Sequence, residues 1–433
     1  MTDPRAQASP AHEHGHASGH ASGQDPGQVL PPLHRQREFV LLWSCQVVST
    51  FGAHATGIIY PLLILALTGS PTQAGLATAL RIVPYLLLSL PVGALIDRWD
   101  RRRVMITCHI GRAAVVASLP LAMAFDALVV NHIYAVAVLE GALHVFFNIA
   151  ETAALPRVVA AAQLPQATAH NQVGFAVAGI TGPALGTWAY QALGRAVPFV
   201  LDVATHLIGA VALWRLRTPF TPMAPRARPN LRAEIAEGLR WLWRERLVRD
   251  MALFTGGLNF IQAATPLLLI VKAKQLGADD AQIGLIFSMG SVGAILGALV
   301  GPWAQRRFSF GQVIVGTIAL QAAAFPCYDF APGALWLGVV YGWIMFFGPI
   351  YNVVQLSYRI GLIPDGLQGR VHSSYRLIAF ALNPLAAVLC GVTLEHGGAN
   401  EAVAVFAAVF IALALAAVLD GPVRTAPRQH SGR

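Results

Sequence analysis

Charge is what this chain has least of. Asp, Glu, Lys and Arg make up 12% of its 433 residues, against about a quarter in an ordinary soluble domain. Apolar side chains reach 55% and the mean hydropathy is +0.57. That balance excludes a solvated globular protein and points to a polytopic membrane protein. Cysteine is scarce too. Cys45, Cys108, Cys327 and Cys390 stand singly in apolar runs, which excludes a disulfide framework or a cysteine metal site and leaves free thiols. Walker A loop, nucleophile triad and metal-ligand spacing are all missing. No catalytic residue, metal or cofactor is therefore expected, the chain is not read as an enzyme, and any pumping must draw on an ion gradient, with protons the first candidate. The first 30 residues lack an apolar stretch, so no cleavable leader is expected. The ten-residue alternation of membrane strands is also absent, which leaves helices as the spanning elements.

Long apolar runs are what the chain does have. Twelve spans are expected, near 38–67, 74–96, 104–125, 132–154, 168–190, 196–215, 251–272, 281–303, 311–330, 334–356, 370–393 and 399–419, each about the 20 residues that cross a bilayer. The net charge of +9 is distributed by side. Outside the spans, only Arg195, Lys272 and Lys274 fall on one side. The other basic residues fall on the opposite side, which places both termini in the cytoplasm. The positive balance is read as topology and attraction to anionic lipid, not as a nucleic-acid footprint.

The organisation follows from these runs. Residues 1–36, rich in Gly, Ser, Ala and Pro, read as a disordered tail. Its His12, His14, His16 and His20 are taken as part of a solvated leader in preference to a metal-binding tail. A first six-helix bundle covers 37–216 and a second covers 251–420, with a tail at 421–433. Between the bundles, 217–250 opens on Pro219, Pro222, Pro225 and Pro229. It continues as an amphipathic segment with Leu231, Ile235, Leu239 and Leu242 on one face, suited to lying in the membrane interface. The halves repeat. Gly93-x-x-x-Asp97-Arg98 recurs 208 residues later as Gly301-x-x-x-Gln305-Arg306, and Leu155-Pro156 recurs at the same offset as Ile363-Pro364. Two landmarks at one offset imply a six-plus-six duplication.

The stretch Gly93-Ala-Leu-Ile-Asp97-Arg98-Trp-Asp-Arg101-Arg102-Arg103 joins the second and third spans. It resembles the loop signature of the major facilitator superfamily, Gly-x-x-x-Asp-Arg-x-x-Arg-Arg. The resemblance implies two pseudo-symmetric six-helix bundles. It also implies a cytoplasmic gate formed by Gly93, Asp97, Arg98, Arg101 and Arg102, in which Asp97 meets the N-terminus of the eleventh span. Gly93 is expected to admit a neighbouring helix. Arg359, Asp365 and Arg370 are further gate candidates. In the fifth span, Gly182-Pro183-x-x-Gly186 resembles the superfamily's antiporter signature. The segment EIAEGLRWLWRERLVRDMAL is similar to the half-connecting segment of the drug-efflux branch related to macrolide and enterobactin-type siderophore exporters. What these resemblances imply is a multi-pass protein of a bacterial cytoplasmic membrane, monomeric, exporting small molecules against protons.

Polar residues inside the spans need a reason, because a charge at mid-bilayer costs about 2.5–3.5 kcal/mol even on a lenient scale. Glu140, His144, Asn148 and Glu151 share one face of the fourth span. A carboxyl with a histidine one turn away suits a proton relay. The alternative is a fixed ion pair of Glu140 with Arg81 or Arg112. Asp202 and His206 repeat that spacing in the sixth span, for packing, gating or proton exchange. Gln46, Asn148, Asn259, Gln262, Tyr351, Gln355 and Arg376, interleaved with aromatic residues, are the substrate-cavity candidates, and an apolar cavity with scattered amides suits a bulky amphiphile. Arg376 calls for an answering group, either an anionic substrate or a carboxylate. The chain is thus read as a proton-coupled exporter. A narrow-specificity uptake permease, a lipid-moving protein and a non-transporting receptor or scaffold are the rivals.

Overall fold

The computed structural model describes residues 31–96, 98–218, 220, 231–364 and 367–426. Asp97, Asp365, the four tail histidines and the linker prolines lie outside them. The described chain is helical: α1 Arg37–Thr68, α2 Pro71–Ile96, α3 Arg101–Ala124, α4 Val130–Val158, α5 Leu164–Ala192, α6 Val197–Trp214, α7 Leu231–Arg244, α8 Arg246–Gln275, α9 Asp280–Arg307, α10 Phe310–Ala324, α11 Ala334–Leu362, α12 Gln368–Phe380, α13 Asn383–Leu419 and α14 Gly421–Thr425. Among the described residues nine segments are long and apolar enough to cross a membrane, the last being the 50-residue stretch Arg370–Leu419. α2 and α5 have spanning length, at 26 and 29 residues, but are not among the nine.

Local chemistry sets the helix ends. Gly69 closes α1 in the left-handed region, φ 68°, with its N–H on Leu65 O, a conformation that costs glycine nothing. Asp100 caps α3 through Arg103 N. Asp279 with Gln282 and Ser309 with Gln312 form capping boxes on α9 and α10, each satisfying two orphan donors. The eleventh predicted span, 370–393, is not one helix. The chain breaks at Ala381 and Leu382, between α12 and α13, and Pro384 stands in the first turn of α13, where its missing N–H costs no intrahelical bond. A second break at Gly398, φ 77°, divides α13 at the boundary expected between the last two spans.

Both predicted tails are shorter than the composition suggested. Residues 33–35 form a 3-10 turn. Leu33 is buried with Phe39, Val159 and Ala167, and Gln36 donates to Gln163 Oε1 at 2.7 Å. At the other end, α14 buries Val423 and packs on α10. In each case one apolar side chain, set among polar neighbours, finds a pocket that composition does not reveal.

α1 to α6 pack mainly on one another, α2 on α4, α1 on α5 and α6, and α3 on α4 and α6. α8 to α13 do the same, with α9 on α11 and α8 on α13. The linker helix α7 lies on α12 and α8. It buries Leu242, leaves Trp243 exposed and pairs Glu237 with Arg370 at 2.7 Å.

The halves meet through α5 on α9 and α2 on α13, and the closest approach is at one end. Gly391 faces the backbone of Pro71 and Thr72, Gly75 faces Ala387 O, and Gly284 faces Pro183 O and Thr187. Hydrogen bonds follow the same seam. Ser288 Oγ donates to Ile180 O at 2.5 Å, Ser291 Oγ to Gly179 O at 2.6 Å, and Ala281 N to Gln191 Oε1 at 3.1 Å. Beside the Gly398 turn, the exposed carboxylate of Glu395 accepts from Ser70 Oγ at 2.6 Å and Thr72 N at 3.0 Å.

Glu395 thus caps the N-terminus of α2 from the opposite half. The Ser70 and Thr72 hydrogen bonds hold its carboxyl down at about 2. A depressed carboxyl contributes fully above its ordinary value near 4.5 and loses that contribution only as pH falls toward 2. Glu395→Ala is therefore expected to raise labelling of a cysteine at Ser288 by a membrane-impermeant thiol reagent several-fold at pH 8, where the capping contribution is complete. Labelling equal to that of the parent cysteine protein at pH 8 would contradict the assignment.

Candidate functional site

α4 organises the polar interior of the first half. Gly141 leaves room for the backbone of α2 at Arg81 and for the Pro84 ring. That close approach brings Arg81 to Glu140. Arg81 Nη2 and Arg112 Nη2 both donate to Glu140 Oε1, each at 3.0 Å, and Tyr60 OH donates to Oε2 at 3.1 Å. The Arg81 guanidinium lies 5.3 Å from the centroid of the Tyr60 ring. Glu140 is 1% exposed, so three donors replace its water. The ion-pair alternative for Glu140 is thus the arrangement present, with both arginines engaged and not one.

A second buried acid lies on α6. Asp202, also 1% exposed, accepts from Thr56 Oγ1 at 3.2 Å and stands 3.6 Å from His206 Nε2. His206 Nδ1 lies 3.2 Å from His109 Nδ1, and His109 Nε2 lies 3.1 Å from Cys45 Sγ. Both arginines thus converge on Glu140, while Asp202 meets Thr56 and His206. Unpaired buried charge would be costly there, so the pairing is a condition of folding. The His109–Cys45 end was not legible in the sequence: its members lie on α3 and α1, and no spacing along the chain relates them.

A cleft has two lobes that share Tyr85 and Asn148 on their walls, and one of them lies between the halves. One lobe, about 400 Å3, is lined from the first half by Gln46, His54, Arg81, Arg112, Glu140, His144, Asn148, Glu151 and Phe175. The four polar residues predicted on one face of α4 are thus brought together here. Glu151 differs from Glu140. It is 4% exposed, and among the described residues no hydrogen bond or ion pair reaches its carboxyl. Gln46 Oε1 is buried without a hydrogen-bond partner, an acceptor left for a ligand. The other lobe, about 370 Å3, is formed by α2, α4 and α12, through Tyr85, Ser89, Gly93, Thr152, Ser373 and Arg376 among others. Together the lobes fall in the size range of small-molecule sites.

Several predicted positions fall elsewhere. Asn259 donates to Ala379 O at 2.9 Å and ties α8 to α12. Tyr351, 2% exposed, shares a hydrogen bond with Thr255 at 2.9 Å, and Gln355 is buried. These three and Gln262 do not line either lobe. Asp202 does not line them either. Gly93 has no atom within 4 Å of where a Cβ would stand. The expected close helix approach is absent because Gly93 borders the lobe between α2, α4 and α12. Arg98 is exposed. Arg101 Nη1 donates to Ala153 O at 2.8 Å, and Arg102 donates to Leu213 O at 3.0 Å and to Trp214 O, capping the C-terminus of α6. On the opposite half Arg359 is 3% exposed. It lies 3.8 Å from the Tyr375 ring centroid and donates to His372 Nδ1 at 3.0 Å. Gly182 and Gly186 pack α5 on the α1 backbone around Phe51 and Ala55, with Pro183 between them inside the helix.

A family model described as Major Facilitator Superfamily matches residues 42–387. The chain is 27% identical over 388 residues to the multidrug efflux pump Tap of Mycolicibacterium fortuitum, covering 86% of this chain and 91% of that one. It is 25% identical over 394 residues to the enterobactin exporter EntS of Salmonella typhi, covering 88% and 92%. Among solved structures, the nucleoside transporter NupG superposes with a TM-score of 0.74 at 12% identity, over 88% of this chain and 98% of that chain.

Proposed function

Because the chain belongs to the major facilitator superfamily, and so is a multi-pass membrane transporter and not an enzyme, we propose that it is a proton-coupled exporter of bulky amphiphiles working by alternating access. In this reading twelve segments span the membrane, six in α1–α6 and six in α8–α13, with both termini cytoplasmic. The seam around Gly391 and Gly284 is the closed outer side, and the cleft opens to the cytoplasm. The similarity to efflux pumps supports the direction.

The observation that carries the coupling is Glu151. It is a buried carboxylate at the cleft wall without a cation, whereas Glu140 has two. A lone buried carboxylate pays its desolvation cost unanswered, and a proton removes that cost. Glu151 is therefore the first proton-exchanging candidate. His144 on the same wall is the second, and Glu140 with Asp202 forms the fixed ionic framework behind them. Asp97, with Arg98 and the N-terminus of α12, closes the inner mouth when the halves rock together.

The test is flux in proteoliposomes under an imposed pH gradient. Glu151→Gln is expected to lose gradient-driven flux at least tenfold while keeping downhill exchange. Gradient-driven flux equal to that of the wild type would remove Glu151 from the coupling role.

A further inference from the structure

The lobe between α2, α4 and α12 carries one fixed charge, Arg376. Its guanidinium lies 5.5 Å from the centroid of the Tyr85 ring, so a cation from the second half rests against an aromatic face from the first. Among the described residues no carboxylate stands within ion-pair distance of Arg376. No acid lines this lobe. The remaining polar wall is neutral: Ser89, Asn148, Thr152 and Ser373. In the neighbouring lobe Arg81 and Arg112 both pair with Glu140. Among the described residues Arg376 is thus the cation lining the two lobes that has no acid beside it.

Resting on the transporter reading above, we propose that this lobe is an anion subsite: it takes aromatic amphiphiles bearing one delocalised anionic group, a sulfonate, carboxylate or phenolate. Arg376 holds the anion through its planar N–H fork, and Tyr85 supplies the stacking face. Such recognition is specific to arginine, since a guanidinium presents paired donors to a planar anion and lies flat on a ring, whereas a lysine offers a point charge. A ligand held this way touches both halves at once, so its binding and the relative position of the halves are linked. The anion need not compete with a proton at Glu151, because the two groups stand in different lobes.

The test uses a matched pair of probes, 1-anilinonaphthalene-8-sulfonate and the uncharged N-phenyl-1-naphthylamine. Binding to the full chain in nanodiscs is read by tryptophan-to-probe energy transfer, with empty nanodiscs subtracted. The expected result is at least tenfold weaker binding of the sulfonate to Arg376→Gln, with the neutral probe changed less than twofold. Arg376→Lys should fall between wild type and Arg376→Gln for the sulfonate. Tyr85→Leu should weaken both probes, which a purely electrostatic surface effect would not do. Binding by Arg376→Gln within twofold of wild type, or equal losses of both probes, would overturn the subsite. Wild-type flux of these probes in proteoliposomes is measured separately. Absence of flux with the binding pattern intact would fail the transporter reading while leaving the anion subsite standing.

Discussion

Glu140→Ala is expected to be the most damaging single substitution in the first half, costing about 3–5 kcal/mol, the range for removing one partner of a buried ion pair. The loss is not mainly that of an attraction. Arg112 is 2% exposed, and its Nη2 donates to Glu140 Oε1. Without the carboxylate, Arg112 and Arg81 are left as neighbouring cations inside the bundle, and Tyr60 loses its acceptor. Arg112 Nε already lacks a partner, so the site has no spare acceptor to offer. The readout is thermal unfolding of detergent-solubilised protein followed by tryptophan fluorescence. The double substitution Glu140→Gln with Arg112→Gln should recover part of the loss, because it removes the uncompensated charge together with its partner. A melting curve for Glu140→Ala that overlays the wild type would show that the ion-pair cluster does not hold this half together.

Gly284→Leu should act on conformation where Glu140→Ala acts on folding. A Cβ on Gly284 would collide with Thr187 Oγ1 and Pro183 O across the seam. One of those atoms is backbone, so the clash cannot be relieved by a rotamer change. Residue 284 lies near the start of α9 and residue 187 near the end of α5, where the halves are in contact. A leucine there pushes that end apart and leaves each half internally intact. The expected result is a melting temperature close to wild type, flux reduced at least tenfold, and strong labelling of a cysteine at Ser288 by an impermeant reagent. Retained flux with unchanged labelling would mean that this seam is not the moving closure. Gly316, which has nothing within 4 Å, is the control, and Gly316→Leu should leave labelling at wild-type levels.

The sequence was informative wherever a property is local or periodic. Apolar runs placed most of the helices within a few residues, and the duplicated Gly-x-x-x-Asp/Gln-Arg landmarks pointed to two halves. The α4 face was also legible, since Glu140, His144, Asn148 and Glu151 recur at helical spacing and do line one lobe. What was hidden depends on packing between helices. Nothing along the chain says that both Arg81 and Arg112 converge on Glu140 while Glu151, three turns on, receives neither. That difference is what the proposed proton exchange at Glu151 rests on. For the same reason Asn259 and Tyr351 looked like cavity residues: their amide and hydroxyl groups are consumed by Ala379 and Thr255, contacts some 100 residues away in sequence. The break before Pro384 was hidden for the same reason: Pro61, Pro84, Pro183 and Pro266 stand inside unbroken helices, so a proline by itself does not mark where a helix ends.

The account depends on one cleft that opens at one end when it shuts at the other. Pulsed electron–electron resonance on two doubly labelled proteins tests this most directly, with labels at Gln73 and His396 for the seam end and at Arg157 and Leu362 for the opposite end. When conditions are changed from pH 8 to pH 5 or Gly284→Leu is introduced, the prediction is that population in the two distance distributions shifts in opposite senses, the first lengthening as the second shortens. Distances that lengthen together, or a second pair that stays fixed while the first opens, would contradict it.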